Sequence, residues 1–272
     1  MTAHFYRAFV ALALGLVFAG ASSADPIDVG GGSPDWVPVG GEGQVPFGVQ
    51  MRANNRVWNL PIQAIVGSDR RTFQWIYEDD VNGDGFRAIV SGVLDPDPSI
   101  AWGIAVTDFG APSTFSFTFT TPIVPTGNPS VVAGSVSGGL TDVTGNGVSI
   151  TPDAALGDPD GDTVAELQVN EVGVGGPPVF TNMGVDVGGA VAFGPGIPGA
   201  NYTYGPFTSG PIAGPPGVWT SLQSRVSFTL SGGGDIASLT GFASIVPEPS
   251  SIVIVAMGAL ALGGIAWRRR KN

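Results

Sequence analysis

The chain has 272 residues, of which 43 are Gly, 23 are Pro and 43% are hydrophobic. Only 12% are charged, against about 25% in an ordinary soluble domain, and the formal net charge is −11. The hydrophobic share argues against a wholly disordered chain, and the absence of Cys excludes disulfide frameworks, cysteine-zinc sites and thiol catalysis.

The first 24 residues have the three-part plan of a secretory signal peptide. Arg7 precedes an uncharged stretch at 8–21, and the small residues Ser22 and Ala24 fit a cleavage site between Ala24 and Asp25. The alternative is an N-terminal membrane anchor. A 14-residue helix spans about 21 Å, less than the roughly 30 Å of a hydrocarbon core. We therefore expect export through the secretion translocon, followed by cleavage.

The mature body, residues 25–246, lacks His, Cys and Lys and has six Arg against 21 acidic residues, a net charge of about −15. This composition excludes Ser-His-Asp and Cys-His nucleophilic sites, His-based transition-metal sites and the Lys of phosphate-binding loops. The acidity disfavours nucleic acid as a partner and attracts cations. Two-carboxylate glycoside hydrolysis and the binding of a hard cation remain.

The body predicts an all-β fold, a β-sandwich or jelly-roll-like ectodomain over 45–246 that follows a Gly/Pro-rich lead-in at 25–44. At 114–120 Phe alternates with Ser and Thr, and 226–230 repeats this period of two. Further strands are predicted at 56–66, 72–77, 86–94, 99–107 and 239–246, and weaker ones at 45–50, 131–140, 148–151, 164–174 and 185–193. About ten to twelve short strands without a helical period favour a single sandwich.

The Pro- and Gly-rich segment 194–217 predicts a long surface loop. Tyr202, Tyr204 and Phe207 either form a contact patch or pin this loop against the sandwich, and we expect the second. Trp58, Trp75 and Trp102 fall within strand patterns and are expected in the core. Two further tryptophans lie beside loops, where an exposed ring can stack on a sugar, although the core is again expected: Trp36 and Trp219.

An acidic turn at 80–85 resembles the opening of a calcium loop. Asp80, Asn82 and Asp84 place oxygen ligands at positions 1, 3 and 5, and Gly85 occupies position 6. Position 12 is Ser91, where an EF-hand has a bidentate Glu. Two carboxylates further along can complete such a shell: Asp95 and Asp97. The alternative is a polar hairpin turn, which the Asn-Gly and Asp-Gly pairs also favour.

A second acidic turn contains Asp158, Asp160 and Asp162, with Glu166 close behind. Three carboxylates within five residues repel one another unless water or a cation neutralises them. The segment 142–147 is a diluted version of the same pattern. Calcium is therefore the one cofactor that the sequence suggests.

The C-terminus carries a candidate membrane segment. Residues 252–267 are uncharged and apolar, and 268–271 are four consecutive cations, which the positive-inside rule keeps in the cytoplasm. The sequence therefore predicts a single transmembrane helix at 252–267, short but extended by snorkelling Arg side chains. A buried core helix is the alternative.

Pro247, Glu248 and Pro249 immediately precede this segment, and Arg268, Arg269 and Arg270 follow it. This arrangement at 247–271 resembles the PEP-CTERM sorting signal of exported proteins in Gram-negative bacteria. The resemblance implies processing near Pro-Glu-Pro by an exosortase-type membrane enzyme, with membrane attachment through 252–267 beforehand. It also implies a final location at the cell surface or outside the cell, often with exopolysaccharide, and says nothing of the body.

The function expected from these features is that of a non-enzymatic cell-surface or extracellular-matrix protein. The alternatives are a glycan-binding module and a carboxylate-only polysaccharide-active enzyme. The enzyme requires two facing carboxylates about 5–10 Å apart in a cleft, and no pair in the sequence identifies itself.

Overall fold

The structure is a computed structural model, which describes residues 27–28, 47–54, 56–79, 85–126, 130–153, 162–171, 180–214 and 219–247. These residues form β-strands and no helix, which confirms the all-β prediction. The described part of the chain therefore contains no helix that could span a membrane. The predictions for the leader at 1–24 with its Ala24–Asp25 cleavage site, for most of the lead-in and for the segment 248–271 lie outside these ranges.

The described strands are, in chain order, β1 (Ile27–Asp28), β2 (Gly48–Ala53), β3 (Arg56–Asn59), β4 (Ile62–Ala64), β5 (Arg71–Asp79), β6 (Phe86–Asp95), β7 (Ser99–Asp108), β8 (Ser113–Thr126), β9 (Ser130–Asp142), β10 (Val148–Pro152), β11 (Ala165–Glu171), β12 (Phe180–Val187), β13 (Val191–Phe193), β14 (Ala200–Ala213), β15 (Trp219–Leu230) and β16 (Asp235–Pro247). They form two antiparallel sheets. Sheet A has the order β1-β3-β2-β8-β15-β10-β13, with β11 and β12 beside β15. Sheet B has the order β14-β9-β16-β7-β6-β5-β4.

The register of the strands defines two ends of sheet B. At the tail end, Pro247 of β16 lies opposite Ser130 of β9, and the β4–β5 and β6–β7 turns lie at the same end. At the far end, Asp108 lies opposite both Phe86 and Asp235. A 13-residue strand such as β16 spans about 40 Å, which is therefore the length of the sheet between its ends.

Aromatic side chains fill the space between the sheets. Phe119 of sheet A stacks on Phe73 and Trp102 of sheet B, with ring centroids 5.4 and 5.7 Å apart. The Trp102 indole N–H donates a hydrogen bond of 3.1 Å to Ser224 Oγ across the core. The predicted alternation of 114–120 therefore holds, since the Phe side faces the core. Trp219 is 2% exposed and cannot stack on a sugar, and Trp36 lies outside the described residues.

The surface loop predicted at 194–217 is wrong for most of its length. Residues 200–213 form β14, the edge strand of sheet B, paired with β9. The pairing shifts register at Gly205-Pro206 and at Gly210-Pro211, so each Pro sits in a bulge and its missing N–H interrupts no ladder bond. Tyr204 is fully buried, and Tyr202 stacks on Phe193 at 4.2 Å. The aromatics therefore do pin this segment to the domain, but as a strand.

Sheet A carries a polar outer face that is nevertheless buried. Gln223 donates a 3.1 Å hydrogen bond to Thr120 Oγ1, and Thr114 is hydrogen-bonded to Thr229 at 2.9 Å. Glu166 and Gln168 of β11 are aligned with Arg225 and Gln223 of β15 on this face. The polar half of the strand alternation therefore forms part of the structure of sheet A rather than a solvent-exposed surface.

Candidate functional site

The sorting tripeptide starts inside the folded domain. β16 is an inner strand of sheet B, and Ser244 pairs with Ser99 of β7 while Pro247 pairs with Ser130 of β9. The backbone N–H of Ile245 donates to Pro98 O at 3.3 Å. Pro247, the first residue of the tripeptide, is therefore held by the sheet. The other predicted sorting residues lie outside the described residues: Glu248, Pro249, Arg268, Arg269 and Arg270.

This connection fixes how a processing enzyme can reach the tripeptide. No linker separates the strand from Pro247, because β16 ends at that residue. An enzyme that acts on the tripeptide must therefore approach the tail end of the sandwich.

The turn at 80–85 joins two paired strands, because Asp79 lies opposite Phe86. β5 and β6 therefore form a β-hairpin that this segment connects. Its candidate ligands Asp80, Asn82 and Asp84 lie outside the described residues. At the base of the hairpin, the Arg87 guanidinium lies 3.8 Å from the Glu78 carboxylate.

Asp95 and Asp97 cannot complete a calcium shell at that turn, which corrects the expectation from the sequence. The ten-residue strand β6 separates Phe86 from Asp95 and spans about 30 Å. Asp95 instead binds Arg70 at 2.7 Å and accepts the backbone N–H of Asp97 at 3.1 Å. Position 12 of the calcium-loop pattern, Ser91, lies in the middle of the same strand.

The second acidic turn is described only at its end. Asp158 and Asp160 lie outside the described residues, and Asp162 is exposed. Glu166 lies within β11 and is buried, in register with Asp186 on one side and Arg225 on the other. Within the described ranges, no group of three or more His, Cys, Asp or Glu residues could hold a metal ion.

The diluted calcium pattern at 142–147 is a backbone-capping loop. The buried Asp142 carboxylate accepts the N–H of Gly145 at 2.6 Å and that of Gly147 at 2.8 Å. Gly145 and Gly147 have φ values of +80° and +101°, a backbone conformation that favours glycine. Both oxygens of the Asp142 carboxylate therefore accept hydrogen bonds from the loop backbone. These bonds explain why an acidic residue occupies this position without a bound cation.

Asp108 and Asp235 are buried next to each other at the far end. Asp108 accepts the Ser113 N–H at 2.8 Å, and Asp235 accepts the Ser231 hydroxyl at 2.5 Å and the Val143 N–H at 3.3 Å. Burial raises the pKa of Asp108 to about 6, against the opposing effect of the Ser113 hydrogen bonds. Burial also raises the pKa of Asp235, and the nearby Asp142 carboxylate adds to the rise.

These pKa shifts predict that mild acid stabilises the domain. Between about pH 6 and pH 4 native Asp108 takes up a proton while the unfolded carboxyl, with its pKa of 3.8, is still ionised, so stability rises as pH falls. Relative to Asp108→Asn, the wild type should gain about 1 kcal/mol between pH 7.5 and pH 5. Urea unfolding at both pH values measures this difference. Equal pH dependence in the two proteins would contradict the prediction.

A shallow cavity at the tail end is lined by three carboxylates of sheet B. It has a volume of about 420 Å³ and lies between the β4–β5 turn and the β6–β7 turn. Its lining consists of Gly67, Ser68, Asp69, Arg70, Asp95, Pro96 and Asp97. The Arg70 guanidinium and the Asp97 N–H together hold the Asp95 carboxylate in place at the wall of this cavity.

Comparison with known proteins adds one finding. Residues 246–271 match the family model of the PEP-CTERM protein-sorting motif, which agrees with the resemblance seen at 247–271. No curated protein matches the chain significantly. The tail of this chain is therefore a PEP-CTERM sorting motif, which marks an exported protein that an exosortase membrane enzyme processes from a membrane-held intermediate.

Proposed function

We propose that this protein is a non-enzymatic β-sandwich module of the cell surface or the extracellular matrix, delivered there by its sorting tail. The observation that carries the proposal is the direct connection between an inner strand of sheet B and the Pro-Glu-Pro tripeptide. This connection attaches the tail to the whole of sheet B. A module that is presented as one rigid body requires such an attachment.

The electrostatics of the described carboxylates support a structural role for them. Asp142, Asp108 and Asp235 each accept hydrogen bonds that fix a loop, and Asp95 is paired with Arg70. A glycoside hydrolase needs one carboxylate that is free to donate a proton and a second one facing it across a cleft. These four acids hold backbone in place, which favours display over hydrolysis.

The proposal can be tested with the purified body, 25–246, and the exopolysaccharide of the same cells. We expect the polymer to keep its length, with no new reducing ends after prolonged incubation. We expect the body to be recovered with the matrix fraction of intact cells. Release of reducing ends that is lost in Asp95→Asn or Asp69→Asn would overturn the non-enzymatic proposal and support a polysaccharide-active enzyme.

We further propose that calcium stiffens the acidic turns. Saturation at about 100 times the dissociation constant adds roughly 2.7 kcal/mol, a rise of about 5–10 °C in the melting temperature of a domain of this size. Melts of the body in EDTA and in millimolar calcium measure the rise. It should disappear in Asp80→Asn/Asp84→Asn or in Asp158→Asn/Asp160→Asn and persist in the control Asp69→Asn. Equal melting temperatures in EDTA and in calcium would contradict the proposal that calcium binds these turns.

A further inference from the structure

The turn between β4 and β5 exposes two large apolar side chains. Val66 is 100% exposed and Ile65 is 36% exposed, although both are large aliphatic residues. Gly67 follows with a φ of +77°, and the space around its Cβ position is open. The tip of this hairpin therefore exposes a small apolar surface to solvent.

The register of sheet B places this tip level with the exit of the sorting tail. Arg71 lies opposite Leu94, Leu94 opposite Ile100, and Ile100 opposite Ala243. The turn residues precede Arg71 and project beyond the level of Ala243, as Val246 and Pro247 do. The tip joins β5 and β4, which are three and four strands away from β16, so its lateral distance from β16 is about 14–19 Å.

Chain length brings this end of the sandwich to the membrane in the processing intermediate. The uncharged segment begins at Ile252, five residues after Pro247. Five fully extended residues span at most about 18 Å. Because Pro247 is fixed in β16, the tail end of sheet B cannot lie further than this from a bilayer that holds the segment.

The charges at the tail end of sheet B permit such an approach. Arg70 is paired with Asp95 at 2.7 Å, and the Arg71 guanidinium lies over the Phe47 ring at 4.8 Å. Two further carboxylates lie at this end: Asp69 and Asp97. The two cations nearly balance the three acids, whereas the body as a whole has a net charge of about −15 and is repelled by anionic lipid.

We propose that the β4–β5 turn, through Val66 and Ile65, contacts the bilayer interface while the sorting tail holds the domain on the membrane. This inference rests on the membrane-held intermediate that the tail implies. One apolar tip is too small for stable binding on its own, but the short tether gives it an effective concentration in the millimolar range. The contact orients the sandwich with its far end outward and is lost once the tail is removed.

Single-cysteine labelling tests the contact, because the natural chain contains no Cys. The intact precursor is purified from membranes of a host without exosortase and placed in nanodiscs of phosphatidylethanolamine and phosphatidylglycerol. An environment-sensitive fluorophore is attached at Val66→Cys, and lipids that carry a nitroxide near the headgroup, or midway along the acyl chain for the label in the tail, act as quenchers. The control is Ile197→Cys, a large aliphatic residue that is 79% exposed near the far end. Ala259→Cys reports on the tail itself.

We expect at least twofold quenching at positions 66 and 259 and none at 197. Val66→Asp, with the label at Ser68→Cys, should reduce the quenching at the turn to the level of position 197. Quenching at 259 with none at 66 would overturn the contact and leave the membrane-held intermediate standing. No quenching at 259 would overturn the intermediate and, with it, the contact. Equal quenching at 66 and 197 would show a domain without a preferred orientation and would overturn the proposed contact.

Discussion

Gly241→Ala is expected to lower the melting temperature of the domain by roughly 5–10 °C, the effect of forcing extra volume into a filled core. A Cβ at Gly241 would lie well inside van der Waals contact with the Trp102 ring. That ring is fixed by its hydrogen bond to Ser224 and by stacking on Phe119, with an interplanar angle of 4°. It cannot move aside without losing one of these contacts.

Gly103→Ala is the matched control for this change. Gly103 lies next to Trp102 on β7, but its Cβ position is 3.6 Å from the nearest atom, Ser91 Oγ. Alanine fits there, and the change in the free energy of unfolding should stay within about 0.5 kcal/mol. Thermal melts of both variants measure the contrast. Equal melting temperatures would mean that the Trp102 ring does not pack against Gly241.

Replacing the tripeptide by Pro247→Ala/Glu248→Gln/Pro249→Ala is expected to block processing and to raise the amount of membrane-bound precursor at least tenfold. The change removes the two prolines and the charge that distinguish this segment, but it leaves the fold intact. Alanine at 247 keeps the backbone C=O and adds an N–H, so pairing with Ser130 can persist. The melting temperature of the variant precursor, which contains all three positions, should therefore match that of the wild-type precursor.

Immunoblots of membrane and extracellular fractions measure this effect, with Ser250→Ala as the neighbouring control. The control should be processed like the wild type, because it leaves the matched tripeptide unchanged. Normal processing of the triple variant would show that the tripeptide is not what the enzyme recognises, and the account of the tail would need revision.

Alternating apolar residues made much of the architecture predictable. The Phe–Ser/Thr alternation at 114–120 and 226–230 corresponds to β8 and β15, which pair with each other over their full overlap. Residues 56–66 were predicted as one strand, and they form two separate strands. It divides into β3 of sheet A and β4 of sheet B, because the chain changes sheets at Leu60-Pro61.

Proline content misled the prediction at 194–217. Proline disfavours an inner strand because it lacks the N–H that a neighbouring strand would bind. In an edge strand this loss breaks no hydrogen bond when a bulge moves the proline out of the hydrogen-bonded ladder. Pro206 and Pro211 both lie at register shifts of β14. The local composition contained no signal for these bulges, since they depend on the β9 partner.

The roles of the acidic residues depend on three-dimensional position that no local pattern specifies. Asp142 and Asp108 are both turn-adjacent acids, and each is buried and hydrogen-bonded to its own loop. Asp95 was placed by sequence with the calcium turn because it follows it closely, but an antiparallel strand carries it to the opposite end of the sheet. The tail was predictable because its three parts are contiguous in sequence.

Export of this chain and loss of its tail at the Pro-Glu-Pro segment are tested most directly by the mass of the mature protein. The protein should be recovered from the envelope and medium of an exosortase-bearing host and mapped by peptide mass spectrometry. The expected product begins at Asp25, retains β16 through Val246 and lacks the peptides of 252–271. A mature protein that still carries 252–271, or one that begins at Met1, would contradict the account.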